Sequence, residues 1–220
     1  MSSTPLVKIC GLTTPADAVE AASAGADWIG LNFHPPSPRF LNPESARSIL
    51  RALPPHVVPV GLFVNRPPAQ VAEIADQLNL RVVQLHGDEP PETIAALSSF
   101  KVVRAFRLRD PASISAMLAY LQETEKLGHP PEAILIDAFV EGLPGGTGRS
   151  IADSVLKILP NLPRLILAGG LTPENVAERS QKVRPWMVDV AGGVELSPGR
   201  KDPQRMRAFV SALKGNDGPQ

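Results

Sequence analysis

Eight short runs of apolar and β-branched residues recur along this 220-residue chain, each followed by a longer stretch rich in Ala, Leu, Glu and Arg. The runs are Leu6–Cys10, Trp28–Phe33, Val57–Val64, Arg81–His86, Lys101–Leu108, Ala133–Phe139, Arg164–Ala168 and Trp186–Ala191. Such alternation is the pattern of repeated βα units. Helices are expected to begin near Thr14, Pro43, Pro67, Pro90, Pro111, Ser150, Pro173 and Pro203. A proline is tolerated in a first helical turn because its missing N–H would have no intrahelical partner there. This use absorbs part of the count of 24 prolines.

Eight such units favour a single-domain (β/α)8 barrel over an open doubly wound sheet, which more often has about five or six strands. The barrel domain is expected to span residues 1–220, with 215–220 a frayed polar tail. Alternation defines the units but not whether the eighth strand pairs with the first, so the open sheet remains the alternative. Glu123 to Pro131 reads as a surface loop, the longest irregular stretch.

Charge and cysteine content narrow the classes of function. Lys and Arg total 22 and Asp and Glu total 22, dispersed along the chain, whereas a nucleic-acid binder needs a basic excess to displace counterions. No nucleic-acid partner is expected, and no apolar run of about 20 residues suggests a membrane span. A single cysteine cannot form an internal disulfide, so a cytoplasmic setting is expected. The polar lead Met1 to Pro5 lacks the features of a signal peptide. No His/Cys/Asp/Glu spacing resembles a metal site, and the glycine loop Gly145-Gly146-Thr147-Gly148 lacks a P-loop lysine. Neither a metal nor a cofactor is expected, and a monomer or a homodimer would suit the chain equally.

Chemistry in a parallel barrel collects at the carboxyl ends of the strands. The residues to inspect there are Cys10, Asn32, Arg39, Asn65, His86, Asp88, Arg107 and Asp137, with the glycine turns after strands seven and eight. A thiol and a carboxyl on separate strand ends suit paired acid–base work. The plainer alternatives are a small buried residue for Cys10 and a helix cap or ion pair for Asp137. Gly169-Gly170 and Gly192-Gly193 expose backbone N–H groups where barrels commonly hold a phosphate. Lys8 shares the strand parity of Cys10 and points into the barrel one layer deeper. Such a lysine needs a counter-charge, and Asp189 on strand eight supplies one if the barrel closes.

Seven strings in order resemble the phosphoribosylanthranilate isomerase family. They are Lys8-Ile9-Cys10-Gly11-Leu12-Thr13, Ser37-Pro38-Arg39-Phe40, Val83-Gln84-Leu85-His86-Gly87-Asp88-Glu89, Leu135-Ile136-Asp137, Gly145-Gly146-Thr147-Gly148, Leu167-Ala168-Gly169-Gly170-Leu171, and Val188-Asp189-Val190 with Gly193-Val194-Glu195. The resemblance implies an Amadori rearrangement of a phosphorylated aminosugar in tryptophan biosynthesis, with Cys10 as general base and Asp137 as general acid. For that role the thiol must be at least partly ionised and the carboxyl protonated. Arg39 would take the aromatic carboxylate, since its planar fork suits a two-point contact, with a surface ion pair as the alternative. Asn32, His86 and Gly146 would line the substrate site, and Gly169, Gly170, Gly192 and Gly193 would hold the phosphate.

Two departures from the family pattern stand out. Ala191-Gly192 replaces the serines usual before the last glycine, and His34-Pro35-Pro36 stands where an aromatic residue and a lysine are common. Three rival readings remain. Lys8 as a Schiff-base nucleophile would make an aldolase-like barrel. The dual-substrate isomerase of histidine and tryptophan synthesis uses two aspartates instead of a thiol. A barrel that binds a sugar phosphate or a partner protein without turnover would need Cys10 and Asp137 apart or occluded.

Overall fold

The computed structural model describes residues 4–138 and 151–214. Eight parallel strands form the wall: β1 (Leu6–Cys10), β2 (Trp28–Asn32), β3 (Val58–Phe63), β4 (Val82–Leu85), β5 (Lys101–Leu108), β6 (Ala133–Ala138), β7 (Leu165–Leu167) and β8 (Met187–Val190). They hydrogen-bond in chain order and close, β1 pairing with β8 through Leu6↔Met187 and Lys8↔Asp189. Closure removes the open doubly wound alternative. It also removes both sheet edges, which would otherwise leave unpaired backbone groups.

The helices are α1 (Pro15–Ser23), α2 (Pro43–Ala52), α3 (Pro68–Gln77), α4 (Pro91–Ala96), α5 (Pro111–Lys126), α6 (Asp153–Leu156), α7 (Val176–Val183) and α8 (Pro203–Lys214). Local chemistry sets their starts. Thr14 and Asn42 cap α1 and α2 by accepting from the N–H groups of Asp17 and Ser45, each just ahead of a proline. Asp110 and Ser113 form a reciprocal capping box on α5. Two expectations shift. Residues 123–126 continue α5 rather than opening a loop, with Thr124 buried and Lys126 paired to Glu123. The seventh helix starts at Val176, because Asn175 Oδ1 accepts from Thr172 N and holds residues 172–175 as a turn. Phe139 and Ser150, the expected ends of the sixth strand and start of the sixth helix, lie outside the described residues.

Strand parity sorts the side chains into two cores. Outward residues such as Val7, Ile9, Ile29, Leu31 and Val188 pack against the helices. Each fully buried aliphatic side chain there contributes about 1.5–3 kcal/mol. Inward residues fill the barrel, with Trp28, Val60, Val82, Val103, Leu135, Ile166 and Met187 among them. Above this apolar plug the same inward parity presents Lys8, Cys10, Gln84, Asp137 and Asp189, all buried. The barrel is therefore packed below and polar at its carboxyl-terminal end.

One element was not foreseen. After β8 the chain makes a single 3₁₀ turn over Gly192–Val194 and then a short antiparallel hairpin, β9 (Glu195–Ser197) and β10 (Arg200–Lys201). Pro198-Gly199 turns it, with Gly199 at φ +83°. Among the described residues no helix is long and apolar enough to cross a membrane.

Candidate active site

A cavity of about 550 Å³ opens at the carboxyl ends of the strands. Cys10 and Asp137 both line it, together with Asn32, Arg39, His86, Gly169, Gly170, Gly192 and Gly193. Of the site residues expected from the sequence, only Gly146 lies outside the described residues. Asn65, Asp88 and Arg107 do not reach the cavity. Asn65 Oδ1 accepts from Asp88 N at 2.6 Å and Arg107 pairs with Asp88, so these three fasten the rim.

Cys10 stands opposite Gly30 in the β1–β2 register. A methyl group at Gly30 would come within 2.4 Å of the sulfur, so the thiol occupies space that only a glycine leaves open. Below it, Lys8 Nζ donates to Asp189 Oδ1 at 3.0 Å, which meets the expectation drawn from parity. Burial works against the Lys8 ammonium, but the Asp189 carboxylate, and Cys10 when ionised, outweigh it and raise its pKa above the usual lysine value. A lysine committed to a buried ion pair with Asp189 is a poor amine nucleophile, which disfavours the Schiff-base reading.

Burial pushes the Cys10 thiol up from its usual 9.0, with Asp189 adding to the rise while Lys8 and Lys201 oppose it. The Lys8 ammonium beneath is the group that most favours the anion.

Asp137 closes β6, three strands around the wall from β1. Its Oδ1 accepts from Ala138 N at 2.7 Å, and His86 Nε2 stands 3.4 Å from Oδ2, outside hydrogen-bonding geometry. His86 Nδ1 contacts Gln84 Nε2 at 2.8 Å, so Gln84 steers the ring. His86 Nε2 and Gln84 Oε1 are buried with no hydrogen-bond partner among the described residues. Such atoms are costly to leave unmatched and are available to a ligand.

Asn32 shapes the loop that follows β2. Its amide donates to Ser37 Oγ and accepts from His34 N, while Ser37 Oγ accepts from Arg39 N. The loop thereby delivers Arg39, whose Nε and Nη2 donate to the two oxygens of Glu195 at 2.8 and 2.7 Å. The ion-pair alternative is thus present, yet Nη1 remains uncommitted among the described residues and Arg39 still lines the cavity. Burial lowers the His34 pKa, and Arg66, donating to Phe33 O, adds to the fall as a nearby cation.

The turns after β7 and β8 meet over the far end of the cavity. Gly169 and Gly170 adopt φ +83° and +62°, and a Cβ at Gly169 would strike Ala138 N and Asp137 Oδ1. A Cβ at Gly193 would sit 1.8 Å from Leu171 O. Both positions exclude any larger residue. Sequence reasoning missed Gln84, Thr172 and Arg205, which also line the cavity. Gln84 was readable from its inward parity. Arg205 was not, because its side chain arrives from α8 and is held by Gly193 O at 3.0 Å. Among the described residues no cluster of His, Cys, Asp or Glu is arranged to hold a metal ion.

The family model for N-(5'phosphoribosyl)anthranilate (PRA) isomerase matches residues 7–212. A protein from Geobacter sulfurreducens described as N-(5'-phosphoribosyl)anthranilate isomerase is 46% identical over 209 residues, covering 95% of this chain and 98% of that protein. The crystal structure of phosphoribosyl anthranilate isomerase from Thermotoga maritima superposes with a TM-score of 0.85 at 36% identity, covering 96% of this chain and 99% of that one. A phosphoribosyl anthranilate isomerase in complex with reduced 1-(o-carboxyphenylamino)-1-deoxyribulose 5-phosphate gives 0.82 at 35% identity, with coverage of 96% and 99%.

Proposed function

The chain belongs to the N-(5'-phosphoribosyl)anthranilate isomerase family, and we propose that Cys10 and Asp137 are the base and acid of its reaction. That reaction is the Amadori rearrangement of N-(5-phosphoribosyl)anthranilate to 1-(2-carboxyphenylamino)-1-deoxyribulose 5-phosphate, a step of tryptophan biosynthesis. The observation that carries the reading is that these two buried side chains line one cavity from separate strands.

Asp137 gives a proton to the furanose ring oxygen as the C1–O bond breaks and the anilino nitrogen supplies the electron pair, leaving an open-chain imine. Cys10, as thiolate, removes the proton from C2, and those electrons move toward nitrogen to give the enolamine. Tautomerisation places a hydrogen on C1 and leaves the ketone at C2. No electron enters or leaves overall, so an acid and a base suffice. The Lys8 ammonium stabilises the thiolate as it forms, and a filled cavity excludes water and strengthens that attraction.

Substrate orientation follows from the ends of the cavity. Backbone N–H groups of Gly169, Gly170, Gly192 and Gly193 take the phosphate, with the Arg205 guanidinium close by in place of the missing serine hydroxyls. Arg39 takes the anthranilate carboxylate through its uncommitted Nη1, while Asn32 holds the loop in place. His86 and Gln84 offer their unmatched polar atoms to the sugar.

Cys10→Ser and Asp137→Ala test the assignment by following loss of the fluorescent anthranilate adduct. Each is expected to lower kcat by about 10²–10⁴-fold, the usual worth of a positioned acid or base. Turnover within about threefold of wild type in a folded variant removes that residue from the mechanism.

A further inference from the structure

Among the described residues the mechanism leaves two buried cations, Arg104 and Lys201, without a task, and Lys201 is the one beside the thiol. Lys201 lies on β10, in the hairpin above the barrel wall, yet its exposure is only 2%. A buried ammonium is costly unless all of its donors are matched. Here Nζ donates to the carbonyl oxygens of Cys10 at 2.6 Å and Ala191 at 3.0 Å, and to Glu195 Oε1 at 2.9 Å.

The two carbonyls identify what Lys201 holds together. The ladder between β1 and β8 runs only as far as Ile9↔Val190. Cys10 and Ala191 are the next residues on each strand, and Lys201 joins them where strand pairing has stopped. One of them bears the thiol and the other leads into the glycine turn over Gly192 and Gly193. From Lys201 the connection continues through Glu195, whose carboxylate also takes both donors of the Arg39 fork. Arg39 lies directly on this seam, since a Cβ at Gly11 would come within 2.3 Å of Arg39 Cδ.

We propose that Lys201 and Glu195 are positioning residues that fix the thiol of Cys10 and the fork of Arg39 in one frame, so that the reacting carbon and the carboxylate of one substrate are met at once. The proposal rests on the roles given above to Cys10 and Arg39. Two well-packed apolar residues would occupy this volume with no desolvation cost. They would neither grip two carbonyls nor orient a guanidinium. Lys201 also lies near enough to favour the Cys10 thiolate.

The test uses Lys201→Met and Glu195→Gln in the full chain. Circular dichroism establishes folding, and the reaction rate with iodoacetamide is followed against pH. Cys10 is the one cysteine of the chain, so intact-mass labelling reports it alone. For Lys201→Met the alkylation profile is expected to move to higher pH by about half a unit or more as a nearby cation is lost. Its kcat should fall about tenfold or more as the thiol strand drifts. For Glu195→Gln the main effect is expected in KM, raised about tenfold as Arg39 loses its anchor.

A folded Lys201→Met protein with an unmoved profile and wild-type kcat overturns the proposal, as does Glu195→Gln with an unchanged KM. If Lys201→Met does not fold, the KM of Glu195→Gln decides the matter. If the wild type does not turn over the aminosugar phosphate, the assignment of function fails, while the alkylation profile still judges Lys201 separately.

Discussion

Replacing Gly30 with alanine sets a methyl group where the Cys10 sulfur now sits. The added carbon would lie 2.4 Å from Sγ, 3.0 Å from Cys10 Cα and 3.1 Å from Cys10 Cβ. Non-bonded heavy atoms settle at about 3.5 Å or beyond, so the sulfur must retreat by about 1 Å while the strand backbone yields by a few tenths. A misplacement of about 1 Å at a reacting group costs about 100-fold in rate. Overpacking a well-filled site costs about 1–3 kcal/mol, each kcal/mol lowering Tm by about 2–4 °C in a chain of this size. Gly30→Ala is therefore expected to lose about two orders of magnitude in kcat with a modest fall in Tm. KM should change little, because Arg39 and the glycine turns stay in place. Gly61→Ala supplies the control. Its Cβ would meet Leu80 Cδ1 at 2.9 Å, away from the thiol, so Tm should fall while kcat holds. Loss of the adduct's fluorescence measures the rate and a circular dichroism melt measures the stability. A folded Gly30→Ala enzyme with kcat within about threefold of wild type refutes the reasoning, for it shows that the sulfur's position does not govern the reaction.

Two further outcomes can be checked. Gly193→Ala drives a methyl group into the Leu171 carbonyl at 1.8 Å, where backbone meets backbone and neither can rotate aside. The two glycine turns must separate, so KM and the inhibition constant for inorganic phosphate should both rise by about tenfold or more; unchanged phosphate inhibition would place the phosphate elsewhere. Burial alone would raise the pKa of Glu195, but Arg39 and Lys201 outweigh it and hold the carboxylate below its usual 4.5. A carboxylate depressed in the folded state contributes stability above 4.5 that is lost as pH falls below that value. Denaturant midpoints below pH 4.5 should therefore fall more steeply for wild type than for Glu195→Gln, and parallel curves would show that the pair contributes nothing there.

Much of the site was legible because strand parity is a local property. Once Leu6–Cys10 is read as a strand, Lys8 and Cys10 must share a face, and barrel closure brings Asp189 to Lys8. The glycine turns were legible for a related reason, since their places after the seventh and eighth strands follow from counting units. Arg39 illustrates the limit. Its loop was recognised, but its partner Glu195 lies 156 residues away in sequence, on a hairpin that no periodicity announced. Lys201 was invisible for the same reason, because a lysine beside a Pro-Gly turn reads as a solvated charge. The thiol's pKa was not legible at all, because its environment sums burial against several charges that come from different strands.

The order of alternating hydrophobic runs by itself determined the eight units, the inward face of each strand, and the strand ends on which the thiol and the carboxyl stand. These follow from a repeat of two along a strand and from the turn chemistry of neighbouring residues. Tertiary structure alone decided that the first and eighth strands pair, that Gly30 and Gly193 are held to glycine by parts of the chain remote in sequence, and that Lys201, Glu195 and Arg39 form one seam over Cys10. The reason is physical. Local pattern constrains only where a side chain points relative to its own backbone. Which groups meet across a cavity depends on how the whole wall closes and on the costs of burying each charge and methyl group where the closed wall leaves it.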